Sequence, residues 1–179
     1  MIFSMIEKTV NKKYFPYYLF VFAACLYLFN SWGISIYILD EAKNASCARE
    51  MLQSGNLLVP TFNGALRTDK PPLHYFFMLI SYSVFGVNPF AARFFSAIFG
   101  ALTVLTTFLY TRKFSDTKTA FWTTIVLLAS VHLSVQFHLA VPDPYLIFFM
   151  VWSLFAFFAA VITGNKREVF FMYFAMAMG

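Results

Sequence analysis

Charge is scarce in this sequence. Of its 179 residues only 12% are Asp, Glu, Lys or Arg, against roughly 25% in a soluble domain, and that shortage excludes an ordinary water-facing surface. Cysteine is nearly absent as well. Cys25 lies inside an apolar run and Cys47 in a polar stretch, with no CxxC spacing, so neither a zinc site nor a disulfide is indicated. The loops are too short to build a soluble domain, no internal repeat is present, and no run alternates like a barrel strand. The net charge of +5 comes from basic residues scattered at the ends of apolar runs. There they orient helices, and no nucleic-acid partner is expected.

What the sequence has instead is apolar bulk: 60% of its residues are hydrophobic, and 25 are Phe. Charge-free runs cover Tyr14 to Leu39, Pro71 to Ala92, Phe94 to Thr111, Ala120 to Pro142 and Pro144 to Asn165, and about 20 apolar residues suffice to cross a bilayer as a helix. The chain reads as all-α, a polytopic helical membrane protein. Its Phe side chains suit lipid-facing surfaces and would equally line a groove for an isoprenoid or acyl tail. The first run is too long for a signal-peptide core and lacks a small-residue cleavage site, so it reads as a retained signal-anchor.

Three basic clusters pin the topology, because positive loops stay cytoplasmic. They are Lys8, Lys12 and Lys13; Arg112, Lys113 and Lys118; and Lys166 with Arg167. All three share one side only if the run from Pro71 to Val87 lies along the outer face. That choice predicts spans at 14–37, 90–111, 119–138 and 144–163, and a last one starting at 168 that is incomplete at Gly179. The outer segment then holds two surface helices, at 41–53 and 71–86. One module covers 1–179, and the short last run makes the chain read as truncated.

The outer segment carries the chemistry. Asp40 and Glu41 are adjacent carboxylates at the start of an amphipathic helix whose small apolar face is Ala45, Ala48 and Leu52; Asp40 alone would serve as its N-cap. Asp143, between two prolines in "AVPDPYL", falls on the same outer side. An acid at a membrane boundary is costly and tends to be functional, although a turn or cap would also use it. In "DKPPLHYF" the prolines suit the first turn of a helix and hold Asp69 and Lys70 at a rigid corner. Lys70 either snorkels or holds a phosphate as a point charge. Arg49 offers a second phosphate partner or an intrahelical pair. His74, His132 and His138 are not spaced as a metal set, and "NAS" at Asn44 matches a glycosylation sequon placed in an expected helix.

Taken in order, "DEAKNASCAREML", "SGNLLVPTFNG", "DKPPLHYF", "FGVNPFAAR" and "AVPDPYL" resemble the amino-terminal part of glycosyltransferase family 39, which includes protein O-mannosyltransferases and aminoarabinose transferases acting on lipid A. The resemblance covers roughly residues 14 to 165. It implies the amino-terminal module of a GT-C bundle with two juxtamembrane helices in the first outer loop, in a bacterial inner membrane, with the active face periplasmic or extracellular. The implied reaction is transfer, with inversion, of a sugar from a polyprenyl-phosphate carrier to a lipid or protein acceptor. On this resemblance Asp40 is the catalytic base with Glu41 beside it, Asp143 the second catalytic acid, and Lys70, with Arg49, the binding site for the donor phosphate. The sequence establishes no cofactor; the family admits a divalent metal near the corner, where Asp69 is the nearest ligand. Rival readings are a non-catalytic carrier-lipid-binding or flippase-like subunit and an inactive truncated fragment.

Overall fold

The computed structural model describes residues 9–36 and 39–179. Lys8 of the first basic cluster and residue 37 of the first expected span lie outside them. Helices account for nearly all regular structure: α1 Phe15–Leu28, α2 Leu39–Ser54, α3 Leu73–Phe85, α4 Pro89–Phe114, α5 Thr117–Ala129, α6 Val131–Phe137, α7 Asp143–Thr163 and α8 Lys166–Met178. A two-stranded antiparallel hairpin, β1 Thr61–Phe62 with β2 Ala65–Leu66, interrupts them between α2 and α3.

The centre of the bundle is α4. Asn88 caps it by accepting from the Ala91 N–H at 2.9 Å, Pro89 occupies its first turn, and Arg112 and Lys113 complement the dipole of its last turn. Its 26 residues run for about 39 Å at 1.5 Å per residue, more than a hydrocarbon core requires. Around it pack α1, α3, α5, α6 and α7, and α8 lies against α7. Among the described residues α4 and α7 are long and apolar enough to cross a membrane, and α5 with α6 would make a third bent span. The chain is a multi-pass membrane protein, and apolar side chains such as Phe22, Val126, Val161 and Phe170 cover its outer surface.

Two expected spans differ in shape from single helices. The first is helical only to Leu28; turns follow, with Asn30 in the left-handed region at φ 59°. Asn tolerates that conformation better than most residues, and the unwinding frees backbone carbonyls that find a partner elsewhere in the fold. The run expected at 119–138 is broken at Ser130, where α5 and α6 meet at 68°. No proline or glycine marks the bend. It is set by packing: Phe137, at the end of α6, is buried against Tyr27 and lies over Gly100 of α4. A β-carbon at Gly100 would sit 2.5 Å from the Phe137 ring, so Gly100→Ala is expected to cost about 1–3 kcal/mol through overpacking. Thermal unfolding in detergent would measure the loss, which Phe137→Leu in the same chain should partly relieve.

Local signals set the other corners. Gly86 and Gly164 end α3 and α7 with positive φ, as helix-terminal glycines do. The hairpin turns on Asn63–Gly64, both at positive φ, the pairing most typical of a tight two-residue turn. Glu50 of α2 holds this turn, accepting from Thr61 Oγ1 and the Asn63 N–H, both at 2.8 Å. Those bonds, the Thr61 hydroxyl first, hold the Glu50 carboxyl below the usual carboxylate range. The hairpin thereby delivers the chain to the corner at residues 67–72.

Candidate functional site

The two adjacent carboxylates at the start of α2 part company. Successive helical residues point about 100° apart, so one faces solvent while the other turns inward. Asp40 is exposed; Glu41 is fully buried. The inward face of α2 is Glu41, Asn44, Cys47, Ala48 and Met51, polar at its amino-terminal end, with Ala45 and Leu52 only partly covered.

Glu41 meets a residue that sequence reasoning passed over. Arg93 of α4 donates through Nε and Nη2 to the two Glu41 oxygens at 2.7 and 2.8 Å, a bidentate pair with both side chains buried. Arg93 Nη1 donates to the carbonyls of Ser31 and Ile34 at 3.0 and 2.6 Å, and Nη2 to that of Ser35 at 3.4 Å. These are the carbonyls released where α1 unwinds. A signal was present: Arg93 is the one Lys, Arg, Asp or Glu between Lys70 and Arg112, and a lone charge in an apolar stretch calls for a buried partner.

The same pair reaches the segment before α7. Glu41 Oε1 accepts from the Ala140 N–H at 2.9 Å, and Asn44 Nδ2 donates to the Ala140 carbonyl at 3.2 Å. The first turn of α2, with Asp40, is thereby bolted to the backbone three residues before Asp143. Asn44 is fully buried with its amide committed, so the sequon is closed to glycosylation in the folded chain.

Asp143 opens α7 and is exposed; Lys70 is half-buried beside the prolines that precede α3. Both line one cavity of about 220 Å³, together with His74, Pro142 and Tyr145. Asp40 and Arg49 are not among its lining residues. Arg49 instead borders a separate cavity of about 310 Å³ with Ser46, Tyr82 and Asn88. The fold therefore brings Lys70 to Asp143 and sets Arg49 apart from them.

Asp69 is engaged by Arg67, whose Nε donates to its Oδ1 at 2.8 Å and holds its carboxyl below the usual range. Arg67 is buried and anchors the corner further through its backbone N–H to the Pro60 carbonyl and through Nη1 to Cys47 Sγ. A carboxylate already paired with a guanidinium is a poor cation ligand, and no group of three His, Cys, Asp or Glu among the described residues could hold a metal ion. Asp69 therefore makes no cation site with the other described residues.

His74, set aside as a metal ligand on spacing, is the second residue missed. The residue is 1% exposed; its ring lies against Tyr75 at 3.8 Å between centroids, tilted by 40°, and meets the Pro71 carbonyl through Nδ1 at 2.7 Å. Burial pushes its pKa down to about 4, against the opposing effect of the Pro71 carbonyl. The other two histidines serve local ends: His138 contacts the Ser134 carbonyl, and His132 is exposed.

Known proteins resemble this chain in sequence and fold. A family model described as dolichyl-phosphate-mannose-protein mannosyltransferase matches residues 69–179, a range that includes Lys70, His74 and Asp143. An uncharacterized protein of Aquifex aeolicus is 32% identical over 148 residues, covering 82% of this chain and 30% of its own. An undecaprenyl phosphate-alpha-4-amino-4-deoxy-L-arabinose arabinosyl transferase of Pseudomonas savastanoi is 33% identical over 135 residues, covering 75% of this chain and 25% of its own. The crystal structure of ArnT from Cupriavidus metallidurans bound to undecaprenyl phosphate superposes with a TM-score of 0.72 at 27% identity, over 81% of this chain and 27% of that one. The chain thus spans less than a third of the length of each of these relatives.

Proposed function

The chain belongs to the dolichyl-phosphate-mannose-protein mannosyltransferase family, and on that premise we propose that it serves transfer of a sugar from a polyprenyl-phosphate-linked donor to a lipid or protein acceptor, with inversion at the anomeric carbon. One observation supports this reading most. Lys70 and Asp143, from distant parts of the chain, line one cavity, and the turn carrying Asp40 is tied to the segment carrying Asp143 through Ala140.

In this reading Lys70 holds the phosphate of the donor. As the carrier leaves, negative charge gathers on that phosphate, and a fixed cation stabilises it more in the transition state than in the ground state. The acceptor hydroxyl must lose its proton as it attacks, and Asp40, an exposed carboxylate on an anchored helix turn, takes it as general base. Asp143 orients the acceptor or the sugar from within the cavity. Glu41 acts through position alone, since its oxygens are committed to Arg93 and Ala140. Arg49 would meet a phosphate only outside the Lys70 cavity.

The test is transfer of labelled sugar from the donor lipid by membranes holding the full protein. Transfer that survives unchanged in both Asp40→Asn and Lys70→Ala overturns these roles. Carrier lipid that binds without any transfer would instead favour a non-catalytic carrier-binding component.

We further place the site on the periplasmic face of a bacterial inner membrane. Arg93 and Lys113 sit at opposite ends of α4, separated by about 30 Å at 1.5 Å per residue, one hydrocarbon thickness. The basic residues Arg112, Lys113 and Lys118 gather at the far end from the site, where Glu168 of α8 accepts from Lys113 at 2.9 Å and Tyr110 at 3.0 Å. A cysteine at Ser115 should react with impermeant reagent only from the cytoplasm; labelling from outside would reverse the assignment.

A further inference from the structure

Beside the cavity shared by Lys70 and Asp143 lies a buried polar side chain that nothing in the proposed reaction uses. His74 Nε2 is buried and has no hydrogen-bond partner among the described residues, while the residue itself lines the cavity. A buried polar atom left unpaired costs free energy, so an atom kept in that state beside a ligand cavity calls for a ligand. The hydrogen bonding of the other nitrogen decides what kind. A carbonyl only accepts, so the 2.7 Å contact with Pro71 requires the proton on Nδ1. Nε2 of the neutral ring is then an acceptor with its lone pair free.

That choice excludes two roles. An acceptor lone pair repels phosphate oxygens, so His74 is not a second phosphate ligand beside Lys70. Nor is it placed to be the base: a ring whose pKa lies near 4 has little drive to take a proton at neutral pH. What remains is recognition of a hydrogen-bond donor.

Resting on the transferase reading above, we propose that His74 is a specificity-determining residue whose Nε2 accepts a hydrogen bond from a hydroxyl or amino group on the donor sugar, while Lys70 holds the adjoining phosphate. The cavity reads the donor in two parts, the phosphate by charge and the sugar ring by a neutral acceptor in a fixed tautomer. The tilted rings of Tyr75 and Tyr145 pack near the imidazole, at 3.8 and 6.5 Å between centroids.

The test compares binding of sugar-free undecaprenyl phosphate with binding of undecaprenyl phosphate carrying 4-amino-4-deoxyarabinose or mannose, on the full protein in nanodiscs. His74→Asn keeps an N–H donor for the Pro71 carbonyl and removes the acceptor at the Nε2 position. It should weaken whichever sugar-bearing lipid the wild type prefers by about tenfold, the value of one good hydrogen bond, and leave sugar-free carrier within about twofold. His74→Gln, whose amide oxygen reaches the Nε2 position, should recover most of the loss. Equal weakening of sugar-free and sugar-bearing lipid by His74→Asn would mean a structural role and overturn the inference. So would a wild type that binds no sugar-bearing lipid more tightly than bare carrier. Lys70→Ala should weaken every lipid alike; if it does not, the transferase reading fails at the phosphate, separately from His74.

Discussion

Asp40→Asn is expected to lower glycosyl transfer by about 10²–10⁴-fold, the usual worth of a positioned general base, with the affinity for carrier lipid nearly unchanged. Asn matches Asp in shape but cannot take a proton from an attacking hydroxyl. Asp40 is exposed and lies outside the Lys70 cavity, so neither the fold nor the phosphate contact should register the change. The loss belongs in kcat, with KM little moved, which is the mark of an interaction made only in the transition state. Asp143→Asn should cost less and act partly through KM, because an orienting group holds ground state and transition state alike. Steady-state kinetics on both variants decide the matter. Should Asp143→Asn show the collapse in kcat while Asp40→Asn does not, the base is the carboxylate already in the cavity with Lys70, and the two roles exchange.

The second large effect is on stability. Glu41→Ala should cost about 3–5 kcal/mol, the range for removing one partner of a buried ion pair. Arg93 would keep three carbonyls but no counter-charge, and the Ala140 N–H would lose its acceptor in a buried place. Arg93→Ala should be comparably damaging, because it strands Glu41 and the carbonyls of the unwound segment together. The two losses should not add: a double replacement by Leu and Met removes both charges and should recover part of the cost, as apolar replacements of buried pairs often do. Thermal unfolding in a fixed detergent would measure all four proteins. Equal melting of wild type and Glu41→Ala would show that the pair is not holding α2 to α4. Because the same contacts position Asp143, Glu41→Gln should lower transfer more than it lowers stability.

Much of the architecture is legible in the sequence, for a local reason. The Pro71–Pro72 entry to α3, the Gly86 and Asn88–Pro89 corner before α4, and the Asp143–Pro144 start of α7 each follow from residues within one turn of the break. The expected surface helices at 41–53 and 71–86 correspond to α2 and α3 at Leu39–Ser54 and Leu73–Phe85. The hairpin at Asn63–Gly64 carried an equally local signal that was passed over. The bend at Ser130 had none, since its cause is an aromatic ring lying over a glycine on another helix.

The site divides along the same line. Sequence alone determined the inventory: a chain too apolar for water, an acidic pair after the first apolar run, a lysine held at a proline corner and a second acid between prolines. Those are properties of composition and short spacing, and they also carried the family. Tertiary structure alone decided the assignments. It turned Glu41 inward to Arg93 and left Asp40 in solvent, joined Glu41 and Asn44 to Ala140, separated Arg49 from Lys70, paired Asp69 with Arg67 and set His74 beside the cavity. Apart from the local Asp69–Arg67 pair, each of these depends on which atom lies across a packed interface from a distant part of the chain. The partner is often a backbone group, such as the Ala140 amide or the Pro71 carbonyl; every residue type offers the carbonyl and all but proline the N–H, so no sequence pattern marks them.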